Sequence, residues 1–375
     1  MPPRAHALLS ASSSHRWLNC PPSARLCENY DDIASNFAIE GTCAHSLCEY
    51  YLKCALGIEA EDPTDNLSYY NDEMVECAKA YVSFITCLID EHKRLGANVS
   101  VLIERRLDYS KYVTEGFGTG DCIVIADNEL HIIDYKHGKG VLVNAENNTQ
   151  MQLYALGALE MFDEDDTIDT VHMTIFQPRK GNVATFTLEK AKLYEWAEKI
   201  LKPTADLAFR GEGEYNCGEW CQFCKAKADC RERANTNLEM EKYECREPAL
   251  LTDDEIAEIL TKVDPLVSWA NDIKAHAHKS ALEGKTWKGF KLVAARSTRK
   301  YADEKAVAEA VINAGYDPYE RRLLTITDMQ KMLGKDKFIE VLNGLIIKPE
   351  GKPTLVPESD SRPAITNAKL DFYEE

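Results

Sequence analysis

The stretch GTGDCIVIADNELHIIDYKHGKG, residues 118–140, decides the fold. Two short apolar runs, Cys122 to Ala126 and Leu130 to Tyr135, flank a polar turn at Asp127–Asn128–Glu129, the pattern of a hairpin. Both runs are rich in Ile and Val, as expected of strands buried on both faces. The hairpin's ends do not suit a plain core. Asp121 stands at the entry, and Asp134, Tyr135 and Lys136 stand at the exit. An antiparallel return brings the last residues level with the first, so Asp121 and Asp134 converge, with Lys136 one side-chain period along. Two carboxylates and an ammonium at one point make a divalent-metal site with a built-in cation. That is the chemistry of phosphodiester cleavage.

Working outward, Val99 to Leu107 reads as a strand leading to the hairpin, preceded by helices over Phe37 to Ala55 and Asn71 to Leu95. Downstream, Asn148 to Phe162 is helical and carries Gln150 and Tyr154 on one face at i,i+4. Val171 to Phe176 and Val183 to Thr187 are strands around a Pro178–Gly181 turn, and Leu188 to Phe209 is a helix that Pro203 kinks. The order gives an α/β fold, a mixed central sheet flanked by helices. At the start, Ser12–Ser14 cap a short helix that Pro21 and Pro22 stop.

Beyond Glu247–Pro248 the character changes. Thr252 with Glu255 forms a capping box opening a helix to Leu282. A strand over Gly289 to Ser297, a helix over Asp303 to Ala314, and short helices over Asp328 to Leu333 and Lys337 to Leu342 follow. The chain therefore divides into residues 1–247, a small α+β C-terminal domain at 248–348, and a flexible tail at 349–375.

The net charge of −18 over 375 residues argues against a protein that coats nucleic acid, since neutralising phosphates needs clustered Lys and Arg. A local basic groove is compatible with it. From Lys285 to Lys348 there are 13 basic and 8 acidic residues. Within that tract Lys288, Lys291, Arg296, Arg299 and Lys300, interleaved with Trp287, Phe290 and Tyr301, suit a DNA backbone with stacked bases, or equally a solvated strand face. No apolar run has membrane-spanning length, and the first residues lack the apolar core of a signal peptide, so a cytoplasmic location is expected.

The 13 cysteines, an odd number, read as reduced thiols plus metal ligands. Cys43, Cys48, Cys54, Cys77 and Cys87 sit in helices as packing residues. Cys217, Cys221, Cys224 and Cys230 are clustered within CGEWCQFCKAKADC, with thiolates two residues apart able to face one metal. These four would form a tetrahedral zinc site unaided; the bland alternative is a set of reduced core thiols. The chain has no phosphate-cradling Gly-x-x-x-x-Gly-Lys-Ser/Thr motif.

Taken in order, Gly41-x-x-x-His45, Gly118-x-x-Asp121, Asp134-Tyr135-Lys136 and Gln150-x-x-x-Tyr154 resemble the PD-(D/E)XK nuclease superfamily, in particular its RecB-like branch. The likeness covers roughly Leu8 to Arg231. The LSASSSHRWLNCPPSARL opening and the EWCQFCKAKADC cluster look more narrowly like a phage- and prophage-encoded family labelled domain of unknown function 2800. The resemblance implies a restriction-endonuclease-like core in which His45, Asp121 and Asp134 hold Mg²⁺ or Mn²⁺, with the Tyr135 carbonyl completing the shell. It implies that Lys136 positions the attacking water or neutralises the transition state. Gln150 and Tyr154 would orient the lysine or substrate, and Glu40 would steer a ligand from behind. It also implies a [4Fe–4S] cluster held by one cysteine before the core and three after it, Cys20 with Cys221, Cys224 and Cys230, stapling the two ends of the domain. Cys217 competes as the fourth ligand, and structural Zn²⁺ competes with the cluster. The implied activity is DNA exonuclease work in phage-type recombination, replication or repair, alongside a separate single-strand-binding or annealing protein. A non-catalytic, metal-stapled DNA-binding or scaffold protein is the alternative.

Overall fold

A computed structural model describes residues 7–31, 35–239, 251–293, 301–319 and 322–347. The chain forms two compact units, Met1–Lys279 and Ser280–Glu375.

In the first unit, short helices α1 (Ser14–Asn19) and α2 (Ser23–Leu26) precede the long helices α3 (Asn36–Ala55) and α4 (Asp72–Arg94). Then come β1 (Val99–Asp108), β2 (Phe117–Ala126), β3 (Glu129–Tyr135), α5 (Thr149–Phe162), β4 (Thr170–Gln177) and β5 (Asn182–Glu189). Helices α6 (Lys190–Trp196), α7 (Lys202–Arg210) and α8 (Arg231–Leu238) follow, and α9 (Asp253–Leu282) lies in this unit up to Lys279. The five strands form one sheet in sequential order, antiparallel except where β3 runs parallel to β4. That single parallel step needs a crossover, and α5 supplies it. The expected mixed sheet flanked by helices is the observed one.

Strand alternation gives the sheet two apolar faces. Cys122, Val124, Ile133 and Tyr135 pack with α3 and α4, while Ile123, Leu130, Ile132, Met173 and Ile175 pack with α5, α6 and α7. Met151 through Leu159 of α5 are buried without a break, so the helix is covered on every side inside the unit. Gly157 permits its close approach: a Cβ there would sit 3.0 Å from Leu107 Cβ. Each long helix starts on a side-chain cap, Ser35 for α3, Asn71 for α4 and Asn148 for α5.

Three sequence expectations shift. The hairpin loop is two residues, Asp127–Asn128, because Glu129 pairs with Ala126 and belongs to β3. Leu188 and Glu189 extend β5 by pairing with Val171 and Thr170, so the following helix starts at Lys190. Ahead of Pro203, which has no N–H to give, the helix widens into a π turn at Ala197–Leu201 rather than breaking.

The Thr252–Glu255 capping box is present: Glu255 N–H donates to Thr252 Oγ1 and Thr252 N–H to Glu255 Oε2. In the second unit α10 (Glu304–Asn313), capped by Asp303, precedes α11 (Ile326–Leu333) and α12 (Lys335–Leu342). Gly289 to Val293 form no strand; the rest of that expected strand, with Arg296, Arg299 and Lys300, lies outside the described residues, as does the tail from Pro349. Lys288 and Lys291 are exposed. No helix among the described residues is long and apolar enough to cross a membrane.

Candidate metal centre

The antiparallel pairing of β2 with β3 brings Asp121 beside the end of β3, where the Tyr135 backbone N–H donates to Asp121 Oδ2 at 2.7 Å. On the α3 side, His45 Nδ1 stands 3.3 Å from the same oxygen. The His45 ring meets the Tyr135 ring edge-on at 5.6 Å, which fixes its plane. Helix α3 is continuous through Gly41. Glu40 accepts from Arg179 Nη1 at 2.8 Å, and Arg179 Nη2 reaches Glu73 at 3.0 Å. Glu40 also lies 3.6 Å from His137 Nε2, while His137 Nδ1 meets the Tyr135 hydroxyl at 2.8 Å. Glu40 thus braces the neighbourhood of Tyr135.

On the α5 side, Lys136 Nζ lies 2.9 Å from Asp134 Oδ2 and donates to Gln150 Oε1 at 3.1 Å. Gln150 Nε2 donates to Asp134 Oδ1 at 3.1 Å and to the Tyr154 hydroxyl at 3.2 Å. The i,i+4 spacing read from the sequence therefore places both α5 side chains on one buried lysine–carboxylate pair. Gly118 belongs to the same contact, since a Cβ there would meet Tyr154 Cε1 at 2.7 Å. That is the steric reason for glycine three residues ahead of Asp121.

Glu104 is the residue that sequence reading missed. It occupies the break in the β1–β2 ladder between the pairs Ile103–Cys122 and Arg105–Gly120, with φ at +46°, and so stands across from Asp121. One ligand atom each from His45, Glu104 and Asp121 lies within 4.8 Å of the others. Extending the hairpin's register back to β1 would have found it, but that needs the pairing rather than the motif.

Charge explains the protonation pattern. Burial pulls His45 down, but the Asp121 charge and hydrogen bond, then Asp134, more than offset it and lift the imidazole to about 9. Burial likewise raises Asp121, yet His45, Lys136 and the Tyr135 N–H bring it below the ordinary carboxylate range. Burial and the Asp121 charge push Glu104 up to about 8. Burial raises Asp134 despite Lys136. Two acids held protonation-prone beside a third, ionised acid are a cluster short of positive charge. Asp134 Oδ2 is buried with no hydrogen bond aligned on it among the described residues. Three carboxylates and an imidazole fit a hard, oxygen-preferring dication.

The second cluster forms where the N-terminus meets the segment after α7. Cys20, Cys217, Cys221, Cys224 and Cys230 line one small cavity with Arg16 and Arg233. Asn216 N–H donates to Cys20 Sγ at 3.5 Å. Cys217 Sγ lies 3.9 Å from Cys221 Sγ, and Cys27 Sγ lies 3.7 Å from Cys224 Sγ. Cys27 is a thiol that spacing gave no reason to single out. The hydrogen bond between Cys27 and Cys224 lowers Cys27, and that between Cys217 and Cys221 lowers Cys221, so each pair has one thiol predisposed to ionise. Of the helical cysteines, Cys43, Cys48 and Cys77 are buried packing residues as expected, whereas Cys54 and Cys87 fall on outer faces and are exposed.

The fold and these sites define a mixed α/β protein with an acid–imidazole–lysine centre and a thiol pocket. The family described as "Protein of unknown function (DUF2800)" matches residues 6–363, and the chain belongs to that family. Among solved structures, one described as "Crystal structure of SSO0001" is similar at 14% identity, with 52% of this chain and 98% of that chain covered and a TM-score of 0.22.

Proposed function

We propose that this chain is a Mg²⁺- or Mn²⁺-dependent deoxyribonuclease of RecB-like type on a restriction-endonuclease-like core, working as an exonuclease on DNA. The observation that carries the reading is the gathering of His45, Glu104 and Asp121 within 4.8 Å, beside Asp134 and Lys136. A bound dication would lower the pKa of a water and offset charge on the scissile phosphate. His45, Asp121, Asp134 and Glu104 would hold it. Lys136 stays protonated, because the charges of Asp134 and Asp121 outweigh its burial, and so supplies a fixed positive charge for the developing pentavalent phosphorane. Gln150 fixes the ammonium, and Tyr154 fixes Gln150. A separate single-strand-binding or annealing protein is the proposed partner.

The thiol pocket is proposed as a metal staple between the N-terminus and the 217–230 segment. The likeness to RecB-like proteins favours a [4Fe–4S] cluster on Cys20, Cys221, Cys224 and Cys230. The close thiol pairs favour zinc, because two thiolates at 2.3 Å from one tetrahedral ion come roughly 3.8 Å apart. A cube binds each thiolate to its own iron. Iron content and absorbance near roughly 400 nm in anaerobically purified protein separate the two.

End-labelled single- and double-stranded DNA, incubated with the protein with and without Mn²⁺, tests the nuclease reading. Metal-dependent shortening that vanishes in Lys136→Ala is expected. Cleavage unchanged by that substitution would sink it and favour a non-catalytic DNA-binding protein.

A further inference from the structure

The turn end of the same hairpin carries a second constellation that the nuclease reading does not use. Glu129 is the first residue of β3, and His131 follows it on the face toward α4. The parallel β3–β4 pairing sets His172 directly beside His131. The two imidazoles stack at 4.5 Å with 13° between their planes. His92, in the last turn of α4, meets His131 edge-on at 4.9 Å. All three Nε2 atoms converge on one carboxylate oxygen: Glu129 Oε2 lies 3.4 Å from His172, 3.5 Å from His131 and 3.9 Å from His92.

These are poor hydrogen bonds, and one ligand atom each from His92, Glu129 and His131 lies within 4.8 Å of the others, with His172 Nε2 at 3.4 Å from the same carboxylate. Four ligands at 2.0–2.1 Å around a tetrahedral ion stand roughly 3.3 Å from one another. His131 Nε2 and His172 Nε2 are buried with no hydrogen-bond partner among the described residues. A buried polar nitrogen left without a partner is costly. His131 is 7% exposed, and its unpaired nitrogen points into the cluster. His172 Nδ1 lies 3.0 Å from Thr187 Oγ1, its cross-strand neighbour. With the Nδ1 proton donated to that hydroxyl, the Nε2 lone pair is left facing Glu129, the arrangement that orients a ligating histidine from behind.

We propose that His92, His131, His172 and Glu129 form a binding site for a borderline divalent cation of the zinc type, closing the turn end of the sheet onto α4. Three imidazoles and one carboxylate suit such an ion better than the hard dications favoured at the other end. His92, His131 and Glu129 supply the three ligands already grouped, and His172, turning off its stack on His131, would close the shell and make the site structural, tying the last turn of α4 to β3 and β4. A cation there also meets the negative end of the α4 dipole. The proposal does not depend on the nuclease reading, because it shares no residue with that centre.

The test is zinc content of the full chain by mass spectrometry, after chelator treatment, equilibration with Zn²⁺ and desalting. The comparison set is wild type, the double variant His92→Gln/His172→Gln, Cys221→Ser for the thiol pocket and His45→Ala for the other centre. Loss of one equivalent in the histidine double variant is expected, with that equivalent kept in the other two. Substituted Co²⁺ should give visible bands without sulfur charge transfer, lost in the double variant and kept in Cys221→Ser. Saturating Zn²⁺ should raise the Tm of the wild type more than that of the double variant. Equal zinc content and equal Co²⁺ bands in wild type and double variant would overturn the site. If circular dichroism shows the double variant unfolded, Glu129→Gln carries the test, because its side chain is 37% exposed. An affinity at least tenfold weaker supports the site, and an unchanged one overturns it.

Discussion

The two ends of the β2–β3 hairpin are built from the same two strands, yet they gather opposite kinds of donor. The entry–exit end collects carboxylates from β1, β2 and β3, with one imidazole and one ammonium. The turn end collects three imidazoles around a single carboxylate. His131 and Asp134 are three residues apart, about 10 Å of strand, and that odd spacing sends them to opposite faces. One hairpin can therefore present a hard, carboxylate-rich site and a softer, imidazole-rich one without the two competing for ligands. The difference also separates tasks. Lys136 in the first leaves a positive charge available for chemistry, whereas the second has all its donors turned inward.

The largest expected effect breaks the comparison if it fails. Lys136→Ala should lower metal-dependent DNA cleavage by about 10²–10³-fold, the scale for losing one charge-stabilising group, with circular dichroism and DNA binding retained. A similar loss from Glu129→Gln would erase the division of labour. Next, Glu104→Gln should weaken Mn²⁺ binding about 10–100-fold by calorimetry while leaving zinc content at the turn end unchanged. An unaltered Mn²⁺ isotherm would remove Glu104 from the centre.

A smaller effect sharpens the turn end through pH. Beneath it Lys190 pairs with the buried Asp163 at 2.9 Å, and the Thr167 and Ile168 N–H groups donate to the same carboxylate. Burial would raise Asp163, but those partners outweigh it and hold the group below its ordinary 3.8. A depressed folded pKa means the unfolded chain takes up protons first as the solution is acidified. The stabilisation is therefore complete above the ordinary value and is lost as pH falls through the folded one. Asp163→Asn should cost about 2 kcal/mol at pH 7 by thermal denaturation, and the gap to wild type should close below about pH 4. A gap independent of pH would mean that shape, not charge, holds the pair. The smallest effect is Tyr154→Phe, which removes one hydroxyl from Gln150 and should cost about 1 kcal/mol. Cleavage should fall only a few-fold.

Legibility followed from how local each signal is. The hairpin and the α5 pair Gln150 and Tyr154 rest on periodicities of two and of 3.6 residues, which side-chain chemistry writes directly into the chain. Glu104 and Cys27 were not readable. The first depends on a strand register nine pairs long with one interrupted rung, and the second on the N-terminal segment meeting the 217–230 segment. His131 and His172 read as isolated strand residues 41 positions apart until the parallel pairing set them side by side.

By itself, then, the sequence determined a mixed α/β protein and the local half of the acid–lysine centre, because hydrophobic alternation and a two-residue loop fix which residues return to one level. Only the tertiary structure decided the rest of the ligand set, paired Glu40 with Arg179, and assembled the histidine cluster. Contacts between distant segments depend on how strands align and helices cross, and no single stretch of chain carries that information.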